Sequence, residues 1–241
     1  MSTANFKFEH PGEARDQLWA AVDAYAFPHS HPTSRPNHKA LEHALQASKA
    51  AGLPDISASP SQAKFMALQC RLLKVTHALE VGTLGGYTAI WLASENPQLK
   101  IVTVEYDHNH VVIARKNIEF AGLSDRVEVI EGAGADVLPK LKEEVLAGKR
   151  ERFGFTFIDA DKQNNWNYLT WAADMSNPGS LLCVDNVVRG GKIIDFNNTD
   201  PRLLGSRAAI EKAGKDERFD SVVIQTVGEK SYDGALWVVL K

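Results

Sequence analysis

The run from Phe153 to Ile158 is apolar but for one glycine and one threonine, and it ends in Asp159, Asp161 and Lys162. A run of that length reads as a buried strand, so two carboxylates and an ammonium arrive together where a strand leaves the core. The same pattern recurs. Segments ending at Glu80, at Glu105 and Asp107, at Glu131, and at Asp185-Asn186 all run apolar and then deliver an acid. Set side by side, these ends form an acidic cleft suited to cations or to hydroxyl-rich ligands. Any one of the acids alone reads equally well as a solvated strand end or a helix N-cap, but five in register point to a shared ligand.

The turn after the first of these strands is "EVGTLGGYTA". Gly82, Gly85 and Gly86 let the backbone turn tightly and approach a ligand. A dinucleotide fold wants G-x-G-x-x-G, whose middle glycine admits the pyrophosphate, and Leu84 stands in that place. Glu105 follows at about the ~20-residue separation at which an acid meets ribose hydroxyls in nucleoside-binding sheets. The combination suits an adenosine-type ligand without a pyrophosphate. S-adenosylmethionine fits, since its sulfonium is a cation.

The elements that must carry these residues alternate. "THALEVG", "KIVTVEYD", "RVEVIEG", "FGFTFIDAD" and "GSLLCVDN" read as strands, and "GYTAIWLASE", "HVVIARKNIEFAG", "GADVLPKLKEEVLAG" and "NWNYLTWAADM" read as the helices between them. Alternation of this kind predicts βαβ units, a mostly parallel sheet with helices on both faces. "DSVVIQTVG" and "GALWVVLK", separated by "EKSYD", predict an antiparallel hairpin that closes one edge and brings the sheet to seven strands. Ahead of the sheet, a helix is predicted from Glu13 to Ala26 and another from His38 to Ala51. Between them "FPHSHPTSRPN" reads as a loop or mobile arm, with Pro28, Pro32 and Pro36. Ser59 is placed as an N-cap with Pro60 at the first helical position of a third helix. Residues 1–58 then form a helical N-terminal arm, and residues 59–241 the main α/β domain.

The 241 residues carry a formal net charge of −3, with 44% hydrophobic and 24% charged residues. This is the profile of a globular protein, without the basic stripe of a nucleic-acid binder. No window reaches the ~18 apolar residues of a membrane span, and the N-terminus lacks the apolar core of a secretion signal. A cytoplasmic protein without nucleic-acid or membrane partners is expected. Cys70 and Cys183 sit in apolar runs and read as reduced core residues.

The motifs "SPSQAKFM", "ALEVGTLGGYTAIWLA", "VEYD", "FIDADKQNNWNY" and "LLCVDN" resemble, in order and spacing, the cation-dependent O-methyltransferases. That family includes the caffeoyl-CoA O-methyltransferases and is related to the catechol O-methyltransferases. The resemblance covers roughly residues 59–186 and the closing hairpin, and implies the Rossmann-like class I methyltransferase fold. It further implies S-adenosylmethionine as donor, bound by Glu80, Gly82, Thr83, Gly86, Tyr87, Thr88, Glu105, Gly132, Ala133 and Asp159. Within that set, Glu105 would meet the ribose, and Gly132 and Ala133 the adenine. Asp159, Asp185 and Asn186 would hold a divalent cation, and Lys162 would act as general base beside Asp159. Two carboxylates and an amide are hard oxygen donors, suited to Mg²⁺ and also to Mn²⁺ or Ca²⁺. A cation there would acidify and orient a phenol, with a small catechol as acceptor. A homodimer is also implied.

Other readings stay open at this level. The acceptor can be another hydroxyl or an amine, or the chain can bind the cofactor without turnover. Lys162 can pair with Asp161 on the surface. Trp166, Tyr168 and Trp171 fall at helical spacing and read as core before substrate wall. His29, His31, His38, His43, His108 and His110 show no metal-ligand pattern and read as surface residues. Arg189, Lys192, Asn197 and Asn198 sit in a glycine-bearing loop where substrate-lid residues are expected.

Overall fold

A computed structural model describes residues 13–241, the side chains from residue 17 onward. Five parallel strands come first: β1 (His77–Val81), β2 (Lys100–Glu105), β3 (Val127–Glu131), β4 (Phe153–Ile158) and β5 (Ser176–Val184). The chain closes with β6 (Phe219–Val227) and β7 (Tyr232–Leu240), and the sheet order is β3-β2-β1-β4-β5-β7-β6. β7 lies antiparallel between β5 and β6, so the predicted hairpin does close one edge. Successive strands are added in one direction from β1 to β3 and in the other from β4 onward, and the switch point between the parallel β1 and β4 is where a cleft opens in a doubly wound sheet.

The helices are α1 (Glu13–Ser30), α2 (His38–Ala50), α3 (Pro60–Leu72), α4 (Tyr87–Glu95), α5 (His108–Phe120), α6 (Gly134–Leu146), α7 (Asn165–Asp174) and α8 (Pro201–Ala213). Strand residues alternate between the two faces. Phe155 and Phe157 of β4 pack with Leu41 of α2, Met66 of α3 and Trp91 of α4, whereas Ile158 packs on the other face with Leu169 of α7 and Ala209 of α8. Both cores are closed, and truncating a fully buried aromatic such as Phe157 or Trp91 to alanine is expected to remove about 3–5 kcal/mol. Cys70 and Cys183 are free thiols buried in the first core.

Most predicted boundaries fall within two residues of the observed ones, and Ser59 caps α3 by accepting the Gln62 N–H at 3.2 Å. Three differences have physical causes. α1 continues through Pro28 to Ser30, because Phe27 packs against the core there, and the predicted loop shrinks accordingly. β5 begins at Ser176, three residues early, where it pairs with Phe153 across an irregularity. α8 was not expected at all. It starts on an Asp200 cap that accepts the Arg202 N–H at 2.9 Å, with Pro201 in the first turn. Among the described residues, no helix is long and apolar enough to cross a membrane.

The reading of all the histidines as surface residues is corrected at His31. It is 3% exposed, its ring 4.5 Å from that of Trp91 and its Nδ1 3.4 Å from Lys64 Nζ. Burial, and then the Lys64 charge, push its pKa down to about 4, so it is neutral. His29 and His108 are exposed, and His38, His43 and His110 half-buried.

Candidate active site

A cleft of about 830 Å³ opens at the C-terminal ends of β1, β2 and β4. Its floor is the turn after β1. Gly82 holds φ 100°, and a Cβ there would stand 2.1 Å from the Asp159 carbonyl, so only glycine lets β1 and β4 end this close together. Leu84, where a dinucleotide site has glycine, takes φ 50° all the same, a costly conformation for a bulky residue. Glu105 holds it in place. Its Oε2 accepts the N–H groups of Thr83 (3.0 Å) and Leu84 (2.8 Å), and its Oε1 accepts that of Asp107 (3.0 Å) with His110 Nδ1 at 3.4 Å. One carboxylate thus ties the β1 turn to the start of α5 and lines the cleft. Thr83, Tyr87, Thr88, Gly132 and Ala133 line the same cleft, while Gly86 sits behind it as the α4 N-cap residue with φ 80°.

Glu80 does not reach the cleft. It is buried on the first core's face of β1, where Thr103 donates to it at 2.6 Å and Thr103 in turn bonds Thr83 at 2.5 Å. Burial pushes its pKa up to about 8, so it is a neutral acid at pH 7 that supports the turn from below. Glu131, at the end of edge strand β3, is half exposed to solvent and pairs with His108 at 3.0 Å.

The remaining acids converge. Asp159 and Asp185 are the first residues beyond β4 and β5, which are neighbours in the sheet. Lys162 is buried and donates to Asp159 at 2.5 Å, so its partner is Asp159 and not Asp161. Asp161 instead accepts from the Tyr168 hydroxyl and from Asn164 Nδ2. Tyr168 is therefore both core and cleft wall, while Trp166 packs on Phe219 away from the site. Asp185 is buried, accepting Gln62 Nε2 at 2.9 Å and the Asn186 N–H at 2.8 Å. Burial first, and the nearby Asp159 carboxylate second, raise its pKa well above the usual carboxylate range. Asn186 adopts φ 54°, which asparagine tolerates better than most residues.

A second cavity of about 530 Å³ lies on the far side of these residues, walled by Phe65 and Trp237, whose rings meet edge to face at 5.4 Å. The two cavities share Ile56, Ser57, Ala58, Asp159, Asn186 and Arg189, with Lys162 on the first side and Asp185 on the second. Asp159, Asp185 and Asn186 could hold a hard divalent cation, and the chemistry of their oxygen donors suits one. Two carboxylates meet at this corner, Asp159 paired with the Lys162 ammonium and Asp185 only with neutral donors, and a cation would supply further positive charge. Among the described residues, no three His, Cys, Asp or Glu side chains gather as a metal site.

Two contributors escaped the sequence reading. Gln62, on the first turn of α3, supplies the amide that holds Asp185. Gly205 of α8 sits so close that a Cβ would stand 2.1 Å from the Lys162 carbonyl, so α8 braces the backbone of the buried lysine. Asp200-Pro201 was a readable start signal for that helix. Of the loop residues expected near a substrate, Arg189 lines both cavities, and Lys192, Asn197 and Asn198 line neither.

The family model described as O-methyltransferase matches residues 31–232. The chain is 53% identical over 229 residues to the O-methyltransferase imqG of Aspergillus flavus, covering 94% of this chain and 93% of that one. It is 43% identical over 196 residues to a catechol O-methyltransferase of Mycobacterium tuberculosis, covering 81% and 86%. Among solved structures, the O-methyltransferase of Bacillus cereus in complex with SAH aligns with a TM-score of 0.86 at 42% identity, over 93% of this chain and 99% of that one.

Proposed function

This chain belongs to the O-methyltransferase family, whose members draw the methyl group from S-adenosylmethionine, and from that premise we propose that it methylates a hydroxyl of a small catechol with the help of a divalent cation. The observation that carries this reading is the wall shared by the two cavities. A donor-sized cleft and an aromatic-lined pocket meet at Asp159 and Asn186, with Lys162 and Asp185 on either side. The relative named a catechol O-methyltransferase supports the acceptor class.

In this reading the adenosyl part lies over the β1 turn, with Glu105 at the ribose and Gly132 and Ala133 at the adenine. Asp159 faces the sulfonium, whose positive charge it favours. A divalent cation held by Asp159, Asp185 and Asn186 would acidify and orient the acceptor hydroxyl. Lys162, once it has passed its own proton to solvent, takes the phenolic proton; the oxygen's electron pair forms the new bond to the methyl carbon, and the S–CH₃ pair returns to sulfur. Phe65 and Trp237 present flat apolar walls for the acceptor ring. Residues 59–241 carry this chemistry in the proposal, and the arm before them shapes the pocket mouth, where Asp23 of α1 accepts the Glu229 N–H at 2.9 Å. The homodimer is part of the same reading. Exposed Leu68 and Leu72, one turn apart on α3, support it, and light scattering on the purified protein tests it.

The experiment is methyl transfer from S-adenosylmethionine to catechols and matched monophenols, with Mg²⁺ and with EDTA. Turnover of catechols that EDTA abolishes is expected. Turnover indifferent to EDTA would remove the cation, and equal turnover of monophenols would remove the catechol.

A further inference from the structure

Arg189 stands where the two cavities meet, on a backbone built to hold it there. Its φ is 58°, and two glycines with positive φ follow. A non-glycine residue persists in that region only when its surroundings enforce it, and here Asp233 does. One oxygen of Asp233 accepts the N–H groups of Val188 (3.1 Å), Arg189 (2.8 Å) and Gly234 (2.9 Å), while the Val187 N–H reaches the Gly234 carbonyl at 2.9 Å. The loop after β5 is therefore pinned to β7, and the Arg189 Cα is fixed at the rim of the acceptor pocket.

The charges around that pocket are unequally satisfied. Asp159 has Lys162, Asp185 has Gln62, Asp55 has Lys230, Asp23 accepts the Glu229 N–H, and Asp233 accepts its three N–H groups. Every carboxylate in the wall accepts a hydrogen bond. The Arg189 guanidinium makes no hydrogen bond or ion pair among the described residues. The neighbouring arginines differ: Arg202 grips Asp200, Arg207 binds the carbonyls of Ile193, Asp195 and Asn198, and Arg218 binds Asp216 and Asp174. Asp200, the acid that feels the Arg189 charge, is already held by Arg202. A half-buried guanidinium with five donors and no protein acceptor is a site for a planar anion.

Resting on the catechol reading above, we propose that Arg189 selects the acceptor, and that the acceptor is an aromatic diol bearing a carboxylate. The ring lies against the wall that Phe65 and Trp237 form together, the diol faces Asp159 and Asp185, and the carboxylate takes the guanidinium fork two-pronged. A carboxylate matches that fork in shape as well as in charge.

The test uses three ligands that differ only in one substituent: 3,4-dihydroxybenzoate, 3,4-dihydroxybenzyl alcohol and 3,4-dihydroxybenzylamine. Binding is measured by calorimetry with S-adenosylhomocysteine and Mg²⁺ present, and methyl transfer is scored separately. The wild type is expected to bind the carboxylate at least about tenfold more tightly than the alcohol, with the amine weakest. Arg189→Met brings the carboxylate-to-alcohol ratio to about one, and Arg189→Lys, which keeps the charge but not the fork, falls between. A wild-type ratio near one, or a ratio that Arg189→Met leaves intact, overturns the proposal. An Arg189-dependent carboxylate preference without methylation of any of the three rings sinks the catechol reaction and leaves this anion site standing. Methylation of all three without preference does the reverse.

Discussion

The two ends of the cleft satisfy their acids in opposite ways. At the β1–β2 end, Glu105 is surrounded by backbone N–H groups and Glu80 by a threonine hydroxyl, so nearly every partner is a neutral dipole. At the β4–β5 end, Asp159 has one ammonium, and Asp185 has a side-chain amide and one backbone N–H. The first end is complete as folded, and its hydrogen bonds fix the shape of a turn that contains a leucine at positive φ. The second end is short of positive charge. A frame that holds shape and a corner that seeks charge are the divisions expected of a site where one substrate is bound and another is activated.

Separate substitutions should pull the two ends apart. Asp185→Asn is expected to lower methyl transfer on the order of 10³-fold, with a much smaller change in S-adenosylhomocysteine affinity measured by calorimetry. Glu105→Ala should do the reverse, weakening that affinity about 10–100-fold. If both variants lose donor affinity to the same degree, the division between the ends is wrong. Lys162→Met comes next. It should cut kcat about 10²-fold and flatten the pH–rate profile while donor affinity changes little. A profile identical to that of the wild type would leave Lys162 as a buried counter-charge to Asp159.

The strand ends explain why the site was partly legible in the sequence. Asp159 and Asp185 stand one residue past the last paired position of central strands, so both reach the crevice. Glu80 precedes Val81, the last residue of β1, and is still paired on both sides, opposite Thr103 and Phe157. Its parity turns it into the core, which counting acids at strand ends does not reveal. The βαβ rhythm was readable because β4 and β5 are buried on both faces and their helices carry apolar stripes. α8 was not, because it packs through small residues, Gly205, Ser206, Ala209 and Ala213, which leave no hydrophobic period. His31 was misjudged because its burial is produced by Trp91 and Lys64, residues far away in the sequence.

That missed helix sharpens the contrast at the charged end. Gly205→Ala would push a methyl group against the Lys162 carbonyl, at an overpacking cost of about 1–3 kcal/mol. Methyl transfer should fall about tenfold as the lysine is displaced from Asp159, a smaller effect than removing the lysine itself. Unaltered kinetics in a destabilised variant would assign α8 to stability alone.

The last test, read in stability and not in turnover, asks whether Glu80 is neutral in the folded protein. With its pKa pushed up to about 8, Glu80 keeps its proton in the folded protein, whereas the unfolded chain loses it near 4.5. Between those values the folded state binds more protons than the unfolded one, so this group's contribution to stability falls as pH rises, by up to about 1.4 kcal/mol per pH unit, and levels off above about 8. Glutamine keeps an oxygen for the Thr103 hydroxyl and carries no titrating proton. Thermal unfolding from pH 5 to pH 8 should therefore show Glu80→Gln gaining on the wild type as pH rises, with the two closest at pH 5. A gap that is constant across that range would mean Glu80 does not change its protonation on folding. The β1–β2 end would then hold a second buried carboxylate beside Glu105, and the contrast with the β4–β5 end would be one of partners only.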